Sequence, residues 1–467
     1  LYPYGHPYSW STIGYLQDLD RASLSDLKNF FLRWYGPNNA AITIGGDINP
    51  KEVIIMVEKY FGSIPPGPEV EKLKLPLPKI NSDRYISHLD NNIRFPALMI
   101  TYPTVPHMHQ DEAALDCLAD ILGRGRSSYL FKKFVETEKA IQASASHPAY
   151  EHAGEFSLII LPYPGQTLSE FEVEIRNTLD EFETLGVNDT NLIKFKADRE
   201  SDVINGLASV SGKVSQLASY QFMFENPNLI NQDLQRYLDI SKADVMRVFR
   251  KYIKGKASVI MSYLPSSKVL PAREDNFHSQ VHSKNDFEKV NYDNLTYQKA
   301  DDNFDRSIQP SAGTRPILKV PEYWEASFEN GLKIIGTTNN EIPTTSLLLT
   351  LNGGHRLDAY DPLKSGLASL TASMLNESTE KYNSEDIQEE LRKLGSSIYV
   401  SSDDDGTYIS INTLNKNIVK TLQLAEEILL HPAFKNKDFA RIYKQQWESI
   451  KAGQEDPSIL QMRFIFS

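Results

Sequence analysis

Ten histidines and one cysteine hold most of the metal-binding and nucleophilic chemistry open to this 467-residue chain. His278 and His282 stand four residues apart, the spacing that sets two imidazoles on one helix face as zinc ligands. The stretch around them is polar and carries no Glu where a hydrolytic zinc motif needs its base, so the pair reads as solvated. His107 and His109 flank Met108 after a Pro-rich turn and read as surface residues, and His147 and His152 border a strand turn beside Glu151. No Ser/His/Asp order, G-x-S-x-G elbow or Walker loop is present. Gly123-x-Gly125 lacks the third glycine of a dinucleotide loop and follows a helical pattern where a strand is needed. The lone Cys117 excludes an internal disulfide, a Cys-type zinc site and a CxxC redox pair. Residue types alone show no catalytic constellation.

The elements that would have to position such chemistry are clearer. At roughly 100–200 residues per domain the length predicts two to four domains. With 49 Lys+Arg against 61 Asp+Glu the net charge is −12, and no basic cluster argues for nucleic acid as a partner. The longest apolar stretch, Phe156 to Leu161, is far too short to span a bilayer.

Ser23 followed by Asp26 is a capping-box pattern that opens a helix with Leu24, Leu27, Phe30, Phe31 and Trp34 as its apolar stripe. Gly36-Pro37-Asn38-Asn39 breaks it, Ala40 to Ile44 reads as a short buried strand, and Asn49-Pro50 starts a second helix. Residues 68–84 read as a linker. A second block begins near Tyr85 with a strand at Ala97–Tyr102, a helix around Ala114–Leu122 and the loop Gly123 to Ser128. Strands at Ala140–Ala145 and Glu155–Leu161 and helices from Ser169 and Asp189 follow. The block closes with Ser241-Lys242-Ala243-Asp244, a helix, and a strand Ala257–Tyr263, which repeats the opening cap, helix and strand. Residues 264–318 are polar and read as a connector lying on a surface. From Tyr323, Asn330-Gly331 is a two-residue hairpin signal. Strand Ser346–Leu351, helices Leu367–Leu375 and Ser384–Leu394, and strands Ser397–Ser401 and Thr407–Ile411 come after it. The predicted class is α+β, built of repeated two-layer domains with mostly antiparallel sheet packed against helices.

Several of these motifs occur in a familiar order. His6-Pro7-Tyr8, then Tyr35-Gly36-Pro37-Asn38-Asn39-Ala40 and Gly45-Gly46-Asp47, resembles the insulinase/pitrilysin family of zinc metallopeptidases. The loop Gly123-Arg124-Gly125-Arg126-Ser127-Ser128 is similar to that family's second-domain signature, with Tyr129 where Arg often stands. The run Asn330-Gly331-Leu332 through Gly366-Leu367-Ala368 resembles the start of a further family unit.

The resemblance implies an inverted zinc motif, H-x-x-E-H, after a Gly-x-Ala on the first long helix of an active unit, with a third Glu ligand several tens of residues later. On the only matching helix the two His positions hold Ser369 and Ser373 and the Glu position holds Ala372, while Glu448 falls in the region of the third ligand. Hydroxyls do not replace imidazoles as strong zinc ligands, and Ala cannot take a proton. The expectation is therefore that this chain binds no zinc and has no catalytic residue. Zinc belongs to the parent enzyme, on ligands outside this chain.

By the same resemblance, residues 1–67 are the back of a first, catalytic-type domain without its metal motif, and 85–263 are a second domain. Residues 264–318 are a connector, and 323–467 are a degenerate third domain. In a two-halved enzyme that closes like a clamshell on a peptide or unfolded polypeptide, the rest of the protein or a second subunit would carry the metal. The alternative is a non-catalytic scaffold homologue that forms the chamber. His6, in its His-Pro-Tyr turn, is expected to be structural. Arg124 and Arg126 either grip a substrate carboxylate or an acid across domains, or lie in a solvated loop, the last being the favoured reading. The abrupt start at Leu1-Tyr2-Pro3 suggests an excerpt whose first sheet has lost strands, and the family points to a soluble protein of a bacterial periplasm or envelope.

Overall fold

The computed structural model describes residues 1–453 apart from 71, 164, 267, 279–294, 310, 314, 316, 318 and 319. His282 and much of the polar connector therefore lie outside the described residues, and His278 is exposed.

Residues 1–67 form α1 (Leu16–Leu19), α2 (Leu24–Trp34) and α3 (Pro50–Phe61). The capping box that opens α2 is complete: Ser23 Oγ accepts from the Asp26 amide at 3.2 Å, and the Asp26 carboxylate accepts from the Ser23 amide at 2.8 Å. The strand expected at 40–44 does not form. The segment is extended, but no strand among the described residues pairs with it, and Ile42 is 59% exposed. A strand needs neighbours for its N–H and C=O groups, and none reaches it. The stripe on α2 stays open as well, with Leu24, Leu27, Phe30 and Phe31 all more than half exposed.

The second stretch is a five-stranded sheet. Its strands are β1 (Arg84–Leu89), β2 (Ala97–Thr104), β3 (Ala140–Ser146), β4 (Gly154–Pro162) and β5 (Val259–Leu264), in the order β1-β5-β2-β4-β3. Only β1 and β5 run parallel; the other pairs are antiparallel. Against it lie α4 (Glu112–Gly123) and α5 (Leu168–Leu185); α6 (Asp189–Gly206), α8 (Ile230–Leu238) and α9 (Lys242–Val248) pack on α4, and α7 (Val210–Phe224) lies between α6 and α8 in the chain. Alternate residues of β2, Leu98, Ile100 and Tyr102, enter one core with Leu115, Leu118, Phe156, Phe182 and Phe249. Helix α9 begins on the second capping box, Ser241 with Asp244, as the internal repeat requires.

The third stretch has a separate hairpin, β6 (Tyr323–Ser327) with β7 (Lys333–Thr337), turning at Asn330-Gly331, where Gly331 takes φ +88°. Its sheet is β8 (Thr344–Asn352), β10 (Gly406–Leu414) and β9 (Ser397–Ser402), all antiparallel, with β10 central. Helices α10 (Leu367–Leu375), α11 (Ser384–Lys393), α12 (Ile418–Leu430) and α13 (Asn436–Gly453) accompany it. A smaller core gathers Ala372, Ile387, Leu391, Val400 and Ile409. The fold is α+β, with mostly antiparallel sheets packed by helices. No helix among the described residues is long and apolar enough to cross a membrane.

Candidate functional site

Helix α10 carries Ser369, Ala372 and Ser373, the positions that the resemblance matches to the zinc motif. Gly366 caps it at φ +97°, and Asp358 accepts from the Gly366 and Ala368 amides at 2.7 and 3.3 Å, contacts that hold its carboxyl below the usual range. Ser369 is exposed. Ser373 donates its hydroxyl to the Ser369 carbonyl at 2.9 Å, satisfying itself within the helix. The Ala372 methyl is buried in the third stretch's core. Glu448 sits on α13 and accepts from Arg94 of the second stretch at 2.9 Å. Two hydroxyls, a methyl and an acid committed to a guanidinium do not fit a zinc ion. Among the described residues, no group of three or more His, Cys, Asp and Glu is placed to hold a metal.

The loop after α4 is built by position-specific requirements. A Cβ at Gly123 would overlap the Ala145 amide of β3, so only glycine lets the helix end approach the strand this closely. Gly125 takes φ +76°. Ser128, buried, donates to the Gly125 carbonyl at 2.8 Å and accepts from the Phe131 amide at 3.4 Å, which closes the turn and starts the next helical segment. Ser127 Oγ accepts from Lys194 Nζ at 3.0 Å.

These constraints turn the loop toward the third stretch. Arg126 forks onto both oxygens of Glu377, just beyond α10, one contact being 2.7 Å; Arg441 of α13 binds the same carboxylate. Glu377 is 1% exposed. The solvated-loop reading of Arg126 therefore gives way to the interdomain acid. Arg124 remains exposed and stands 3.7 Å from Asp120, but its carbonyl accepts from Arg392 at 3.2 Å.

Around this junction Arg392 of α11 donates to both oxygens of Asp120, at 2.8 and 2.6 Å, and to Asp198 at 2.7 Å. Lys194, buried, also reaches Glu389 at 3.3 Å; burial pushes its ammonium below the usual range while Glu389 opposes that shift. The arrangement can clamp two domains through charge-assisted hydrogen bonds.

The histidines are dispersed. His6 accepts from the Tyr8 amide through Nδ1 at 3.1 Å, stacks on Tyr2 and is 4% exposed, and burial lowers its pKa. Pro7 starts a single helical turn, and Tyr8 lies against Tyr150 and His152 and accepts from the His152 amide at 3.2 Å. The turn thus fastens the first stretch to the β3–β4 connection. His107 pairs with Glu112, and His109 accepts from the Asp111 amide.

His147, read from sequence as an ordinary turn residue, has a fully buried imidazole. It links Thr104 Oγ1 at 3.0 Å to Asp116 Oδ1 at 2.6 Å. This is the atom order of a hydroxyl–imidazole–carboxylate triad, but Thr104 is only 3% exposed, and Asp116 is shared with Tyr237 at 2.8 Å. The group ties β2, α4 and α8 together.

Repeated α+β units with antiparallel sheets packed by helices are the class this fold defines, and two family models match it. Residues 21–197 match the peptidase M16 inactive domain, and residues 334–464 match the insulinase family, peptidase family M16. The chain belongs to that family. It is 26% identical over 267 residues to zinc protease PqqE of Helicobacter pylori, an alignment covering 56% of this chain and 59% of that protein. Over 95 residues it is 27% identical to the probable zinc protease PqqL of Escherichia coli, covering 20% of this chain and 10% of that one. A crystal structure of a protease from H. pylori superposes with a TM-score of 0.50 at 26% identity, covering 55% of this chain and 63% of that chain. The chain thus spans well under two thirds of the H. pylori relative's length.

Proposed function

We propose that this chain is a non-catalytic part of a zinc metalloendopeptidase that encloses peptides or unfolded polypeptides, with the metal and its ligands supplied by other polypeptide. In this reading residues 1–67 belong to the catalytic-type domain, 85–263 to a second domain and 323–467 to a degenerate third. The chain's task is to hold the chamber together. The observation that carries the reading is the state of α10 and α13: Ser369, Ala372 and Ser373 supply no ligand, and Glu448 is spent on Arg94. The open apolar stripe of α2 and the unpaired segment 40–44 support it, because both need a covering sheet. A bacterial envelope location belongs to the same proposal, testable by cell fractionation.

The test is metal analysis and a peptidase assay on the purified chain, then on the chain joined to polypeptide bearing H-x-x-E-H. The expected result is substoichiometric zinc and no cleavage from the chain alone, and one zinc with cleavage once it is completed. Tightly held zinc in the chain alone would overturn the reading. Completion without zinc or cleavage would replace the peptidase by the scaffold homologue.

A further inference from the structure

Helices α6 and α7 are pinched together at one end, where a Cβ on Gly212 would overlap the Gly206 carbonyl. From that pinch a cleft of about 570 Å³ opens between α6, α7 and α8, within the range of small-molecule sites. Its apolar lining is Val203, Met223, Phe224 and Leu234. Also lining it, the Arg199 guanidinium lies over the Tyr237 ring with its carbon 3.9 Å from the ring centre. Stacking fixes the plane of the fork and leaves its N–H edge for a ligand.

The acid nearest Arg199 does not engage it fully. Asp116 Oδ2 is 3.6 Å away, beyond hydrogen-bonding distance, and the two Asp116 oxygens are already taken by His147 at 2.6 Å and Tyr237 at 2.8 Å. Two other carboxylates border the cleft. Asp233 is held by Arg236 and by the Tyr220 hydroxyl, at 3.0 and 2.7 Å, so its charge is answered. Asp202 is half exposed at the rim and turns toward Arg124, 3.9 Å away. His107, also lining the cleft, packs its ring 5.4 Å from that of Phe224 and pairs with Glu112, which raises its pKa.

We propose that this cleft binds an apolar carboxylate, with the hydrophobic body against Met223, Phe224 and Leu234 and the carboxylate forked by Arg199. Two sources share this chemistry: the C-terminus of a peptide ending in a large apolar residue, and a free aromatic or aliphatic acid. Only the first source rests on the peptidase reading. The carboxylate site stands independently of it, because binding is measured without turnover.

The test titrates the full chain with N-acetyl-Ala-Phe, with the same dipeptide as its C-terminal amide, and with 3-phenylpropionate, following heat or amide NMR shifts. The free-carboxylate dipeptide or the free acid is expected to bind, and the amide at least about tenfold more weakly, because the amide cannot form the charged fork. Tighter binding of the dipeptide assigns the peptide source, and tighter binding of phenylpropionate assigns the free acid. Arg199→Gln is expected to erase the difference between acid and amide. Because Arg199 also supports Tyr237, Met223→Glu serves as a second variant: Met223 is 51% exposed, so the fold tolerates the change while a like charge enters the cleft. Equal affinity for acid and amide, no binding of either acid, or wild-type affinity in Met223→Glu overturns the proposal.

Discussion

Replacing Glu377 by Gln tests whether the loop after α4 clamps the second and third stretches together. The carboxylate is 1% exposed and accepts from Arg126, through both oxygens, and from Arg441. Removing one partner of a buried charge network costs about 3–5 kcal/mol when the charges left behind stay dry. Here the arginine side chains are 27% and 16% exposed, so they partly rehydrate, and the amide keeps one acceptor; about 2–3 kcal/mol is the expected loss.

Arg126→Met should cost less, about 1–2 kcal/mol, because Arg441 still neutralises the acid. The coupling in a double-mutant cycle between Arg126 and Glu377 should reach about 1.5 kcal/mol or more. Urea denaturation followed by tryptophan fluorescence measures all three values. If the clamp joins separately folded units, the Glu377→Gln transition also broadens or splits, because the units no longer unfold together. A loss below about 0.5 kcal/mol, or a cycle coupling near zero, would refute the clamp and leave the pair a passive contact.

Gly123→Ala should destabilise the second stretch by about 2 kcal/mol or more or block its folding, since the new Cβ overlaps the Ala145 backbone, and thermal melting reads this directly. Ser241→Ala removes the capping box of α9 and should cost about 1 kcal/mol in urea denaturation. Asp111 is buried, which favours its neutral form, yet bonds from Lys251, Tyr252 and Arg247 outweigh this and bring its pKa down to about 2. A carboxyl depressed on folding stabilises above its unfolded pKa of about 4 and loses that stabilisation as pH falls through the folded value, so about 2 kcal/mol should vanish between pH 4 and 2. Asp111→Asn should flatten that part of the stability–pH curve measured by denaturation.

What was legible in the sequence was local. Both capping boxes and the Asn330-Gly331 hairpin depend on residues within four positions of one another, and all three form. The segment 40–44 has the right residues for a strand, but pairing is a long-range property and its partner is not among the described strands. Helix α7, which helps build the cleft, gave little signal: only Tyr220 is buried on it, while Val210, Phe222 and Met223 face outward, so no apolar stripe marks it. Arg126 and Glu377 lie 251 residues apart, and a charge in a sequence carries no sign of its partner. His147 met the same limit, since its acid, Asp116, is 31 residues earlier on another element.

On the reading proposed above, α10 and α13 stand where a metal would be held, and their surroundings suit docking. An acid in the third-ligand region needs a cation wherever it is partly buried, and without a metal an arginine can supply the charge. Glu448 meets Arg94 across the boundary between the second and third stretches, on the same helix whose Arg441 helps hold Glu377. Helix α13 therefore carries one acid and one base that both contribute to docking, while α10 lies beside it with a methyl turned into the core. The exposed Ser369 and the internally bonded Ser373 place no demand on a metal. An unpaired, partly buried acid there would be destabilising, and Arg94 on the neighbouring domain removes that penalty while adding a contact. Charge pairing thus serves the interdomain junction, and stability is what substitutions there should change.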